Sequence, residues 1–321
     1  MGQDWSQTSS KKALRDSRPS PVLPKAGDQV EMEDRHITLM SLTPGVFLSA
    51  VFDGHGGAKT AEFAANHTHQ MIKEISSHIE LKRTELKWTF PFDPKIKTDR
   101  LISQKVEECS GSTACAILID SDQIYCSNIG DSRAIASIGG HVCPLSFDHK
   151  PNRRDELKRI ESGGGWVEFN RVNGALAMSR ALGDFFFKQN IDRQELSPLH
   201  KQIVTAIPDV IICKQKELEF LVLACDGVFD MMTNTEVIKF VRNKLAQKIH
   251  PKEICQRLLE VCIAEQPSTS LPGCDNVTVT IIFPTDIASI YKKCAKPKNS
   301  KKPALAMSDS DYAAACGENS S

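Results

Sequence analysis

The run Val46-Phe47-Leu48-Ser49-Ala50-Val51-Phe52 stops abruptly at Asp53-Gly54-His55-Gly56-Gly57. Its continuous apolar character reads as a buried strand. From about Ala58 to Ile79, Phe63, His67, Met71 and Ile75 recur every four residues, the spacing of one helix face. His67 on that face reads as a core or boundary histidine. The chain must therefore turn tightly between a strand and a helix, with an acid, a permissive glycine and a histidine where the strand ends. A rigid scaffold can present polar groups to a ligand at such a place. Asp-Gly and Gly-Gly are also ordinary turn dipeptides, so plain turn chemistry stands beside the functional reading.

What decides between them is whether more carboxylates reach the same place. Over 321 residues, 40 Lys and Arg balance 40 Asp and Glu, so no global field favours nucleic acid or an anionic surface. A hydrophobic content of 40% with 25% charged residues fits a soluble globular protein with a sizeable core in one or two domains. No apolar run approaches the roughly 18 residues of a membrane span, and no secretory signal is expected at the start. The 11 cysteines are scattered, mostly inside apolar runs, and none forms a Cys-x-x-Cys pair. They read as small core residues in a reducing, intracellular compartment, cytoplasmic or nuclear.

Residues 1–26 are polar and close with Pro19, Pro21 and Pro24, the composition of a flexible arm. Met1-Gly2-Gln3-Asp4-Trp5-Ser6 fits the pattern for myristoylation at Gly2. Lys11, Lys12, Arg15 and Arg18 would supply the basic second signal that one acyl chain needs for peripheral membrane contact. Strands are expected at Thr38–Met40, Ser112–Asp120, Gln123–Ser127, Ala134–Ile138, His141–Leu145, Leu218–Cys225 and Val277–Phe283, and a hairpin from Trp166. Helices are expected at Asp99–Glu108, Asn152–Ser162, Thr235–Ala246 and Pro251–Ala264, with a loop over Lys82–Thr98. Residues 285–321 read as a Lys-rich flexible tail around a core domain of residues 27–284.

Most strands come in runs without strand–helix alternation, which argues for antiparallel sheets with segregated helices. On that scaffold Glu33-Asp34, Asp53, Asp131, Asp226 and Asp275 stand at strand ends or turns. Each alone reads as a cap or turn residue. Together they are stable only if cations sit among them, because unpaired buried carboxylates are costly. Hard oxygen ligands select Mg²⁺ or Mn²⁺. Two such ions about 3.5–4 Å apart would activate water for attack on a phosphoryl centre.

Val30-Glu31-Met32-Glu33-Asp34, Phe52-Asp53-Gly54-His55-Gly56-Gly57, Ser110-Gly111-Ser112-Thr113-Ala114, Gly130-Asp131-Ser132-Arg133, Asp148-His149-Lys150-Pro151, Arg171-Val172-Asn173-Gly174, Ser179-Arg180-Ala181-Leu182-Gly183-Asp184, Ala224-Cys225-Asp226-Gly227 with Asp230, and Asp275-Asn276 follow one another in order. In this the chain resembles the metal-dependent type 2C protein serine/threonine phosphatases, from about Gly27 to Phe283. The resemblance implies an α+β fold, a β-sandwich of two antiparallel sheets flanked by helix pairs, with a binuclear metal site at one end. It also implies that Asp53 bridges two Mg²⁺ or Mn²⁺ ions, that the Gly54 carbonyl ligates one, and that Glu33, Asp226 and Asp275 complete the set. Asp34 would orient metal-bound water. Asp131 and Asp230, with Asp226, match a weaker third-ion position. His55 matches the acid that protonates the leaving Ser/Thr oxygen, a role suited to imidazole. Cys225 reads as core rather than nucleophile.

One position departs from the family pattern. Gln29 stands where an arginine usually grips the substrate phosphate. A charge-assisted hydrogen bond contributes about 1.5–3 kcal/mol against about 1 for a neutral one. Phosphate binding is then expected to be roughly tenfold weaker, unless Arg35 or a residue of Phe185–Ile207 compensates. The expected substrates are phosphorylated proteins, met by a monomer. A catalytically silent binding protein and a metal-dependent nuclease are the alternatives; the retained acids weigh against the first and the neutral charge balance against the second.

Overall fold

The computed structural model describes residues 6–11, 32–79, 92–106, 109–120, 123–190, 195–215, 217–263, 276–299 and 301–317. Two five-stranded sheets form the centre, and every strand pairing in them is antiparallel. One sheet runs Asp209–Lys214, Gln123–Ile129, Ala114–Ile119, Val46–Phe52, Arg35–Thr43. The other runs Ser6–Lys11, Val277–Ile282, Leu218–Ala224, Arg133–Ile138, His141–Pro144.

The inner strands are buried almost throughout and mostly apolar because both of their faces are covered. Between the sheets, Val51, Cys115, Ile117 and Cys126 of one meet Ala134, Ala136, Leu221 and Leu223 of the other. On the outer face of the first sheet, Leu48, Ala50 and Phe52 pack under helices α1 (Lys59–Ile79) and α2 (Phe92–Lys105), which contribute Ala61, Ala64, Ile72 and Ile102. Three further helices follow: α3 (Arg154–Ser162), the short α4 (Asp226–Phe229) and α5 (Asn234–Ala246). Helix α5 and helix α6 (Pro251–Cys262) cover the second sheet, where Val277, Val279 and Ile281 meet Val237, Val241, Leu245, Leu258 and Leu259. Helix α5 starts with a capping box, Thr233 and Glu236 each bonding the other's backbone N–H, and α6 starts with Pro251. The expected α+β sandwich is what the chain forms.

Three expectations are corrected. Helix α2 begins at Phe92, earlier than Asp99. Pro94 falls in its first turn, where the missing N–H has no intrahelical acceptor to lose. Ser6–Lys11, expected within a flexible arm, is an edge strand paired residue for residue with Val277–Ile282. That pairing satisfies backbone groups on an otherwise open edge. The segment after Pro284, expected as a flexible tail, carries α7 (Ile287–Cys294) and α8 (Asp309–Ala315). Ile290 and Cys294 of α7 join the core over the second sheet. Tyr312 of α8 is buried, and Cys316 just beyond it is fully enclosed. The lysines that dominate the composition there conceal these few anchoring positions. Ten cysteines are described, all free; nine are buried and Cys109 is exposed.

Candidate active site

The register of the sheets puts the acids at one end. Arg35 pairs with Phe52, Val51 with Cys115, and Ala114 with Ile129. Glu33-Asp34, Asp53, Thr113 and Asp131 therefore leave the first sheet side by side. In the second sheet Ala224 pairs with Arg133 and with Val279, so Asp226 and Asn276 emerge at the same end. The turn Gly130-Asp131-Ser132 joins the two sheets there.

Each acid is fixed by a neighbour from another element. The backbone N–H of Glu33 donates to Asn276 Oδ1 at 3.2 Å, and Glu33 Oε1 accepts from the Gly57 N–H at 2.8 Å. Asp34 is buried and accepts from the Thr278 hydroxyl at 2.7 Å. The Asp53 N–H donates to Thr113 Oγ1 at 3.0 Å, and its carbonyl accepts the Thr113 N–H at 2.9 Å. Gly54 has no room for a side chain, since a Cβ there would lie 2.5 Å from the Glu33 carbonyl oxygen.

Carboxylate oxygens of Asp34 and Asp53 and the Cys225 sulfur lie within 4.8 Å of one another. Burial pushes the Cys225 thiol well above its ordinary pKa, and the charges of Asp34, Asp53 and Asp226 push it the same way. The thiol stays protonated, as expected for a core residue and not for a nucleophile. It accepts the Thr278 N–H at 3.1 Å and donates to the Asn276 carbonyl at 3.4 Å. Two carboxylates thus crowd one buried sulfur, a placement the sequence did not suggest.

Asp131 is almost fully buried. One of its oxygens accepts from Lys150 Nζ at 2.7 Å, and the other is enclosed with no hydrogen-bond partner among the described residues. Asp230 is exposed at the end of α4, its N–H bonded to the Asp226 carbonyl at 2.8 Å. Clustered hard oxygens, a glycine whose place no side chain could share, and an enclosed orphan carboxylate oxygen fit a hard divalent cation. Glu33, Asp34, Asp53, Asp131 and Asp226 come together. Asp275, Gln29 and Gly2 lie outside the described residues.

His55 sits in a small side sheet in which Gly54–His55 pairs with Gly111–Ser112 and that pair with Leu182–Gly183. The register carries Asp184 to His55, with Nε2 and Oδ2 2.7 Å apart. Gly111 lies between them, and a Cβ there would strike both polar atoms. Burial alone lowers the His55 pKa; the Asp184 hydrogen bond and charge, with Asp131 and Glu33, overcome this and raise it. Sequence motifs quoted Asp184 and Lys150 without a role. No local signal could assign one, since both contacts depend on cross-sheet register.

Of the expected substitutes for an arginine at position 29, Arg35 and, within Phe185–Ile207, Lys188 are committed elsewhere. Arg35 donates to the Met32 and Asp34 carbonyls at 2.5 and 2.9 Å and faces Glu62. Lys188 is fully buried on Asp99 and the Ala181 carbonyl. His67 stacks on Phe63 and bonds its carbonyl, a boundary histidine as expected.

Comparison with known proteins adds to this geometry. Residues 25–270 match the family model for protein phosphatase 2C. A probable protein phosphatase 2C of Caenorhabditis elegans is 45% identical over 280 residues, covering 84% of this chain and 76% of that protein. Protein phosphatase 2C homolog 2 of Schizosaccharomyces pombe is 39% identical over 272 residues, covering 80% and 70%. Among solved structures, a phosphatase from a pathogenic strain of Toxoplasma gondii superposes with a TM-score of 0.67 at 26% identity, covering 87% of this chain and 93% of that one. With a family model spanning most of its length and relatives this similar, the chain belongs to the protein phosphatase 2C family.

Proposed function

We propose that this chain, as a member of a metal-dependent family of protein serine/threonine phosphatases, hydrolyses phosphoserine and phosphothreonine in protein substrates through a centre built on Asp53. The observation that carries this reading is the meeting of Glu33, Asp34, Asp53 and Asp226 at one end of the sandwich, beside the partly open imidazole of His55. In it, Asp53, the Gly54 carbonyl, Glu33, Asp226 and Asp275 would hold two Mg²⁺ or Mn²⁺ ions, and Asp131, Asp226 and Asp230 would offer a weaker third position. Bound there, such ions lower the pKa of water and neutralise phosphoryl charge.

The chain's own residues do the rest. Asp34, set by Thr278, accepts a hydrogen bond from water at the centre. His55 gives its proton to the leaving Ser or Thr oxygen, and Asp184 keeps the imidazole aimed and protonated. Gly111 keeps the space between them clear. Gln29 contacts the substrate phosphate without a charge. A monomer inside the cell, with peripheral membrane contact if Gly2 is acylated, completes the proposal. Among the described residues no helix is long and apolar enough to cross a membrane.

The deciding experiment is Mn²⁺ titration of phosphopeptide hydrolysis by the full chain, with Asp226→Asn as control. Turnover that rises with Mn²⁺ and collapses in the variant supports the proposal. Turnover no higher than the control's sinks it in favour of a silent binding protein.

A further inference from the structure

Lys150 is held on a rigid segment and aimed into the acid cluster. Next to it, Asp148 is locked by Arg133, whose Nε and Nη2 reach its two oxygens at 3.0 and 2.7 Å, and by the Tyr312 hydroxyl at 2.8 Å. His149 is fully buried; its N–H donates to the Gly130 carbonyl, and its carbonyl accepts from the Ser179 N–H and hydroxyl. The backbone of Lys150 is therefore fixed relative to the turn that bears Asp131. Its side chain is 18% exposed and its ammonium has one acceptor among the described residues, Asp131 Oδ2 at 2.7 Å.

The carboxylates whose charges act on that ammonium are Asp131, Asp148 and Asp226. Asp148 already has Arg133 for its counter-ion. What Lys150 serves is the other two, and both belong to the proposed third-ion position. A divalent ion coordinates a carboxylate oxygen at about 2.0–2.6 Å. An ion at Asp131 and an ammonium on the same carboxylate would repel each other at close range, with little water between them to screen the charges. The lysine side chain, flexible and partly open to solvent, can swing away where a buried arginine could not.

We propose that Lys150 is a tethered competitor for the cation position at Asp131. Its ammonium and a divalent ion exchange at one carboxylate, and the strength of the Lys150–Asp131 pair sets how weakly the ion is held. Without an ion, the ammonium keeps the buried Asp131 neutralised and the turn in place. This inference rests on the metal reading above.

Calorimetric Mn²⁺ titration of the full chain, with the free-ion electron paramagnetic resonance signal as a second count, tests it. Lys150→Met is expected to tighten the weakest class of sites by about tenfold or more and to leave the tight class within about twofold. Lys150→Arg keeps the charge without lysine's freedom to vacate the carboxylate and is expected to hold the ion as weakly as the parent does or more weakly. Asp131→Asn removes the weak class in either background. Circular dichroism checks that each variant folds, and Lys150→Gln replaces the methionine variant if that one does not. A tight class intact beside a weak class that is unmoved, loosened or absent in the lysine-to-neutral variant overturns this inference alone. Loss of the tight class from the parent protein overturns the metal reading and this inference with it.

Discussion

His55 Nε2 and Asp184 Oδ2 stand 2.7 Å apart across 129 residues of sequence. Asp184 reaches that point from a left-handed backbone, φ 50°, which a side chain other than glycine adopts at a cost. The three-stranded side sheet over-determines this conformation, because Gly183 is fixed opposite Gly111 and Gly111 opposite His55. Asp184→Asn keeps the shape and removes the charge. On a phosphopeptide, kcat is expected to fall by about ten- to a hundredfold with KM within about twofold, since proton transfer contributes about 10²–10⁴ in rate. The loss should be smaller on a nitrophenyl ester, whose leaving group needs little protonation. Equal losses on the two substrates would place Asp184 in a structural role instead.

Gln29→Arg is expected to lower KM for a phosphopeptide by about tenfold with Mn²⁺ dependence unchanged. The premise is that neither Arg35 nor Lys188 takes the place of the missing arginine. Arg35 is spent on the Met32 and Asp34 carbonyls, and Lys188 is enclosed on Asp99. A variant whose KM equals the parent's would mean that a cation outside these two already grips the phosphate.

The strands and the acids gathered at their ends were legible because each leaves a local mark. Apolar runs such as Val46–Phe52 end at an acid followed by glycine, and Asp226-Gly227 repeats that mark in the other sheet. What was not legible depends on partners distant in sequence. Glu156 looks like one more solvated helix acid, yet it is 1% exposed, because Arg153, Arg159 and Arg180 converge on it. Ser6–Lys11 carries no strand pattern of its own and is a strand only because Val277–Ile282 offers it an edge. Tyr312 is one of two tyrosines in a polar tail, and nothing local announces that Arg133 lies beneath it.

The Glu156 cluster gives the protein an acid sensitivity of predictable sign. Burial pushes this carboxyl up, but the hydrogen bond and charge of Arg180, with Arg159, hold it down at about 2 against an ordinary 4.5. A carboxyl depressed on folding stabilises fully above its unfolded pKa, and that contribution disappears as pH falls from there through the folded value. The protein should thus lose on the order of 3 kcal/mol from this group between about pH 4.5 and pH 2. Glu156→Gln should cost about 3–5 kcal/mol at neutral pH, by leaving buried guanidinium charge uncompensated, and flatten the acid limb. Urea unfolding of both proteins at pH 7, 5 and 3.5 reads this out; parallel curves would show that Glu156 does not titrate with folding.

The Tyr312 ring is the main side-chain anchor of helix α8, beside the Thr235 N–H bond to Asp309 and the enclosed Cys316. The Tyr312 ring lies 4.4 Å from the Arg133 guanidinium carbon, with Phe229 at the same distance, and it stacks on Phe147 at 5.4 Å. Its hydroxyl donates to Asp148, the carboxylate that also receives Arg133. Tyr312→Phe keeps the ring contacts and removes one hydrogen bond to a buried charge, an expected loss of about 1.5–3 kcal/mol. Tyr312→Ala removes the ring as well and should cost about 2 kcal/mol beyond that. Equilibrium urea unfolding orders the three proteins. If the alanine variant is as stable as the parent, α8 is not docked in solution, and the Arg133–Asp148 pair that positions Lys150 stands without it.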